Sequence, residues 1–248
     1  MSTLKKILIS RQQPANLSPY TALTEKYGVE IEFTPFYIIE PLTSREFRAQ
    51  RVNFLDYTAI TFSSRHAIDA FFQLANELRT KIPETMKYFC TTEAVAMYLQ
   101  KHIVYRKRKI FFGDGSAESL LSQIGPKHEK EKFLITTSAS STSDSFTRLF
   151  DERKLDYQTA VVIKSVSQDL KGLDLSAYSA IVLHNVSDVV SLQENFPDFK
   201  PEGLDFISYG RSVVKAMEEA GLQPAIQAPA PEVPSVAKAI ELYLEQHK

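Results

Sequence analysis

Two stretches of the chain share one pattern: Tyr57–Asp69, YTAITFSSRHAID, and Tyr178–Val190, YSAIVLHNVSDVV. Each is a short apolar run, then a polar turn, then residues of helical period, which predicts a buried strand feeding a helix. The likeness continues downstream. Tyr88–His102, YFCTTEAVAMYLQKH, answers Ser208–Gly221, SYGRSVVKAMEEAG, with Ala96 and Met97 matching Ala216 and Met217. Ile110–Ile124, IFFGDGSAESLLSQI, then answers Ala225–Leu244, AIQAPAPEVPSVAKAIELYL. An array of strand-turn-helix units written twice predicts two similar βα lobes.

The same alternation runs through the rest of the chain and sets the fold class as α/β, with parallel sheets covered by helices. Strands are expected at 5–10, 29–36, 58–62, 87–90, 109–112, 132–136, 158–165, 179–184, 205–209 and 225–228. Helices are expected at 18–26, 44–53, 65–78, 92–101, 117–123, 144–153, 187–195, 211–220 and 234–246. The second array has too few strands for a sheet of its own, so the N-terminal pair must complete it. One lobe is therefore discontinuous, residues 1–36 with 168–248, and residues 41–165 form the inserted lobe. Two chain crossings join them, near Tyr37–Leu42 and Val162–Asp169, and a cleft between lobes is where a ligand is expected.

Composition narrows the chemistry. The 29 basic residues balance 30 acidic ones, so no global field draws the chain to nucleic acid or to an anionic membrane. Cys90 is the single cysteine, which leaves no internal disulfide and, with five histidines at no metal spacing, no usual zinc pattern. The opening MSTLKKILIS has an apolar run far shorter than the ~18 residues of a membrane span, and a cytoplasmic protein is expected. The eight glycines never fall into the dinucleotide or Walker phosphate fingerprints, so no nucleotide cofactor is expected.

What remains are the turns. In a parallel sheet every strand-to-helix turn lies at one edge, where free N–H groups and the helix dipole favour anions. Ser63 and Ser64 occupy the turn of the first copy; Asn185 takes the cap position in the second, with Ser187 beyond it. FGDGS (Phe112–Ser116) and YGRS (Tyr209–Ser212) offer further carboxylate or phosphate cradles, or ordinary turns. His66 and His184 stand in or beside the repeated turns and could act as acid or base, or serve only near the caps. The run YRKRK (Tyr105–Lys109) suits a solvated hairpin or strand entry, or a polyanion. TTSASSTSDS (Thr136–Ser145) is expected as a flexible surface loop, or a lid, ending in a cap at Ser143 or Asp144.

The whole-chain arrangement resembles the uroporphyrinogen-III synthases of tetrapyrrole biosynthesis. The marks are ITFSSRHAIDAFF (Ile60–Phe72), close to that family's Phe-Thr-Ser-x-x-Ala-Val turn; FFGDGSAESLL (Phe111–Leu121), close to its Gly-x-x-x-Ala-Glu-x-Leu stretch; and the closing Pro-containing turn and helix, APAPEVPSVAKAIELYL (Ala228–Leu244). The resemblance implies two similar parallel-sheet βα lobes joined by a two-stranded connector. It implies a monomeric lyase that closes hydroxymethylbilane to uroporphyrinogen III with inversion of ring D, using no metal or organic cofactor. The partner is a small polycarboxylate tetrapyrrole. Carried over by position, substrate binding falls to Ser63, Ser64, Arg65, Thr91, Thr92, Gly113, Asn185, Ser187, Gly210, Arg211 and Ser212. The tyrosine that the family uses as proton donor falls at Ile163, and the second Thr after Gly210 is Val213. Tyr157 and Tyr209 are the candidates to replace the donor. The other reading of those two departures is a non-catalytic two-lobed binder of a small anion or tetrapyrrole.

Overall fold

The computed structural model describes residues 5–140 and 144–247. They divide into two compact units, one made of the chain up to Ile38 together with the chain from Val166 onwards, the other Ile39–Ser165.

In the split unit, five strands lie in the order β2 (Glu30–Phe33), β1 (Lys6–Ile9), β9 (Ala180–Leu183), β10 (Asp205–Tyr209) and β11 (Pro224–Ala228) when read from one edge. All four pairings are parallel, with Ile7 opposite Ile31 on one side and Ala180 on the other. The strands alternate faces with period two. Ile7, Ile9, Val182 and Ile207 face one core with α1 (Ser18–Tyr27) and α9 (Val236–Gln246). Leu8, Ile181, Leu183 and Phe206 face the other, with α7 (Val186–Asn195) and α8 (Arg211–Glu219). Successive helices therefore change face between β1 and β9, and a crevice at the carboxyl ends of those two strands follows.

The contiguous unit holds six strands in the order β3 (Tyr37–Pro41), β8 (Asp156–Ser167), β7 (Lys132–Ser138), β4 (Ala59–Phe62), β5 (Lys87–Cys90) and β6 (Ile110–Phe112). β3 and β8 each run through a unit boundary. On one face α3 (Arg65–Glu77) and α4 (Glu93–Tyr98) cover Ile60, Phe62, Tyr88 and Leu134. Its apolar spacing at Ala67, Ile68, Phe71, Leu74 and Ala75 makes α3 a core helix, and a fully buried Phe71 contributes about 2–3 kcal/mol. On the other face α5 (Ala117–Ser122) and α6 (Asp144–Glu152) cover Ala59, Phe89, Phe133 and Ile135. Here the change of face falls between β4 and β7.

Four expectations need correction. Tyr37–Pro41, absent from the strands expected from periodicity, is a strand paired with β8, in keeping with the two-stranded connector that the resemblance implies. The helix from Ser44 stops at Ala49 rather than Asn53, since Arg51 turns left-handed with φ 55°. β7 runs on past Thr136 through Thr137 and Ser138, both expected in a loop, and β8 holds it in register as far as Ser138 opposite Ile163. Ser143, one of the two expected caps, lies outside the described residues. Lys107–Lys109 form a single 3₁₀ turn that serves as the entry to β6, not a hairpin, and Lys109, expected in the strand, stays outside it.

Candidate functional site

At the carboxyl end of β4, Phe62 gives way to Ser63 and Ser64, and Ser64 caps α3 by accepting the Ala67 N–H at 3.1 Å. The N–H groups of Arg65 and His66, at the first two helical positions, have no carbonyl inside the helix to reach. Next to this turn, the Thr91 N–H binds the Phe62 carbonyl and the Thr91 hydroxyl lies 3.4 Å from the Ser63 carbonyl. Thr92 spends its oxygen capping α4 through the Val95 N–H. A cavity of about 310 Å³ opens here, within the contiguous unit. Ser63, Thr91, Thr136, Thr137 and Ser138 give it hydroxyls; Phe62, Ile135 and Ile163 give it an apolar base. It sits at the change of face between β4 and β7, where the fold itself opens a crevice.

The sequence-derived residues divide at this edge. Ser63 and Thr91 line the cavity. Arg65 is laid over the Tyr98 ring, 5.4 Å from its centroid, and Tyr98 in turn donates to Asp69 at 2.7 Å. Gly113 has a steric duty: a Cβ there would stand 2.8 Å from the Leu120 backbone nitrogen, so only glycine lets the end of β6 meet α5 this closely. Tyr157 is elsewhere. It sits at the amino end of β8, opposite Phe133, and gives its hydroxyl to Asp151 at 2.9 Å. Thr136, Thr137 and Ser138 escape a reading of the sequence because a run of hydroxyls resembles loop; their signal is the unbroken continuation of the apolar run KFLI. Cys90, fully buried beneath the edge, has its thiol pushed up to about 12 by burial and offers no nucleophile.

The carboxyl edge of the split unit has a different electrostatic character. Asp188 stands on α7 where the first copy has Ala67. Its Oδ2 accepts from the Ser10 hydroxyl at 2.7 Å, from the His184 N–H at 2.8 Å and from the Asn185 N–H at 2.9 Å. Asp188 is fully buried, and burial raises its carboxyl above the usual range against the pull of those three bonds. This turn carries its own carboxyl group. His184 lies beside it with Nδ1 3.5 Å from Ser10 Oγ and its ring 5.8 Å from that of Tyr209. Burial, with a contribution from the Arg11 charge, lowers the imidazole to about 4, so it is neutral at pH 7. Among the described residues, His184 Nε2 and Asp188 Oδ1 are buried without a hydrogen-bond partner.

One strand further, Gly210 holds φ 117°, a conformation that favours glycine, and passes its N–H to the Ala228 carbonyl. Having no side chain, it leaves the first turn of α8 without a side-chain cap, so the N–H groups of Arg211 and Ser212 remain for an anion. Arg211 and Ser212 are exposed; Val213, 1% exposed, packs with Leu204 and Phe206. A hydroxyl at 213 would point into the core. Tyr209 is half-buried at the carboxyl end of β10, and Asn185 and Ser187 stand at the start of α7.

The family model described as uroporphyrinogen-III synthase HemD matches residues 18–238. The chain belongs to the uroporphyrinogen-III synthase family. Its fold is that of solved uroporphyrinogen-III synthases. A uroporphyrinogen-III synthetase from Helicobacter pylori superposes with a TM-score of 0.58 at 18% identity, covering 98% of this chain and 100% of that one. A mutant uroporphyrinogen III synthase from the extremely thermophilic bacterium Thermus thermophilus gives 0.52 at 14% identity, covering 98% and 100%. No curated protein matches the chain by sequence. Membership of the uroporphyrinogen-III synthase family places the chain in tetrapyrrole biosynthesis. No helix among the described residues is long and apolar enough to cross a membrane. The same residues hold no group of three or more His, Cys, Asp or Glu side chains able to share a metal ion.

Proposed function

We infer that the protein, with one lobe of residues 1–36 and 168–248 and another of residues 41–165, closes hydroxymethylbilane to uroporphyrinogen III with inversion of ring D. The cavity at the carboxyl ends of β4 and β7 supports this most directly. It brings hydroxyls and the open first turn of α3 to one place, a chemistry suited to carboxylates. The first turn of α8 offers a second anion cradle in the split unit. Asp188 closes the start of α7 to anions, so propionate and acetate groups of the substrate go to the other turns.

The reaction begins when the terminal hydroxymethyl oxygen takes a proton and leaves as water, giving an azafulvene. Attack by the substituted carbon of ring D forms a spiro intermediate, and its rearrangement, with loss of a proton, delivers the inverted ring. Holding the bilane in the pose that favours this closure lowers the barrier without any group bonded to the substrate. Ile163 puts methyl groups, not a phenol, into the cavity. Tyr209 is the better-placed donor, at a carboxyl edge and beside a neutral His184, whereas Tyr157 lies at the amino end of its strand. The protein acts as a cytoplasmic monomer.

The test is to supply freshly generated hydroxymethylbilane and separate the oxidised products as isomers I and III. Isomer III above the uncatalysed background is expected. Isomer I alone would remove the catalytic reading. Ile163 then favours the second one, a non-catalytic binder of tetrapyrroles, which tight binding of uroporphyrinogen without turnover would support.

A further inference from the structure

The opposite end of the same sheet carries a second cavity, of about 360 Å³, at the amino ends of β5 and β6 in the contiguous unit. Its walls are apolar: Phe72 and Ala75 from α3, Ile82 and Met86 before β5, Tyr88 on β5, and Ile103 after α4. Its rim is cationic. Arg106 and Lys109 line it, and Lys107 and Arg108 complete a run of four positive charges on the 3₁₀ turn. Glu84 is the one acidic residue among the lining residues, 3.4 Å from Arg106; among the described residues Lys107, Arg108 and Lys109 form no ion pair. The His102 ring is stacked on Phe72 at 4.6 Å and 5° and anchored by Asp69 at 2.7 Å, which makes a flat, rigid wall. At the mouth, Val104 is 77% exposed, the most exposed large apolar side chain among the described residues.

One exposed valine is ordinary on a protein surface, but an open apolar cavity rimmed by charge is the usual form of a ligand site. The volume lies in the range of small-ligand pockets, and the surplus positive charge selects the sign of the guest. We propose that this cavity binds a small amphipathic anion, a planar apolar ring bearing one carboxylate or sulfonate, with the ring against His102 and Tyr88 and the acid between Arg106 and Lys109. The site is separate from the hydroxyl-lined cavity at the carboxyl edge, since Met86 precedes β5 in the first and Thr91 follows β5 in the second. It does not depend on the tetrapyrrole reading.

The probe is 1-anilinonaphthalene-8-sulfonate, whose emission is easily read in a chain with no tryptophan. Titration of the full chain at pH 7 gives one saturable site, and 1-naphthoate displaces the dye far better than uncharged 2-naphthalenemethanol. The double substitution Arg106→Glu with Lys109→Glu weakens binding at least tenfold, while Lys215→Glu, the same kind of charge reversal on α8, leaves it unchanged. Asn76→Phe fills the cavity from α3 without altering charge and abolishes the site; it decides the matter if the double variant fails to fold. Non-saturable binding overturns the proposal, as does a site that Asn76→Phe leaves intact or one that takes the uncharged ring equally well.

Discussion

Replacing His184 with phenylalanine will remove a pH dependence that the wild-type fold carries. The imidazole is largely enclosed at the change of face between β1 and β9, and its pKa there is about 4 against an ordinary 6.5. Above pH 6.5 it is neutral whether the chain is folded or not, so the stabilisation relative to the protonated form is complete. As pH falls, the unfolded chain binds the proton first and gains free energy that the folded chain does not. Stability is lost between pH 6.5 and about 4 with a slope approaching ~1.4 kcal/mol per pH unit, or about 2.5 kcal/mol between pH 7.5 and pH 4.5. Asp188 titrates with the opposite sign, because a carboxyl raised by burial favours the folded state as pH falls. That contribution is common to wild type and variant and cancels in their difference. Phenylalanine retains the ring contact with Tyr209 but cannot titrate. Urea unfolding followed by far-UV circular dichroism at pH 7.5, 6.5, 5.5 and 4.5 reads the difference directly. The gap between the two proteins should shift by about 2.5 kcal/mol in favour of the variant on acidification. Parallel curves would show that the histidine is already charged, or freely solvated, in the folded chain.

Tyr209→Phe should lower isomer III formation by at least tenfold with the melting temperature held, while Tyr157→Phe leaves turnover within a factor of two; the reverse order would relocate the donor. Gly113→Ala forces a Cβ to within 2.8 Å of the Leu120 nitrogen and should cost about 1–3 kcal/mol in chemical denaturation, with Gly125→Ala, open on all sides, as the mild comparison. Asp188→Ala strands two backbone N–H groups and the Ser10 hydroxyl, and should destabilise the fold by about 2–4 kcal/mol, measured in the same way at pH 7.

Most of the secondary structure was legible because the signals were strong and local. AITF and AIVL are buried at every position, and Ser64 and Asn185 mark the starts of α3 and α7 within a residue. Legibility failed where a partner strand decides the conformation. Tyr37–Pro41 exposes Ile38 and Ile39 and contains a proline, so nothing in it marks a strand until β8 is beside it. Thr137 and Ser138 look like loop for the same reason. The site was half legible. Cap residues revealed which turns to examine, but the identity of the group three positions later, Ala67 in one copy and Asp188 in the other, decides whether the turn receives an anion or already holds one. Reading past the cap to the third helical residue would have shown the difference. Gly113 illustrates the limit of positional carry-over, since its requirement comes from the α5 backbone, which no local pattern names.

The pairing of β1 with β9 has a consequence for biosynthesis. β1 and β2 leave the ribosome well before β9, and Ile7 and Leu8 must await Ala180 and Ile181 before one flank of β1 is satisfied. The intervening segment, Ile39–Ser165, is a compact unit by itself, and its emergence precedes that of β9. Each doubling of the loop to be closed costs about 0.6 kcal/mol, and a segment already condensed shortens the slack that β1 must gather. Nascent-chain order thus assigns the inserted segment the part of an internal scaffold. A ribosome stalled before Ala180 would carry a finished middle and an open N-terminal ribbon, a target for chaperones and proteases.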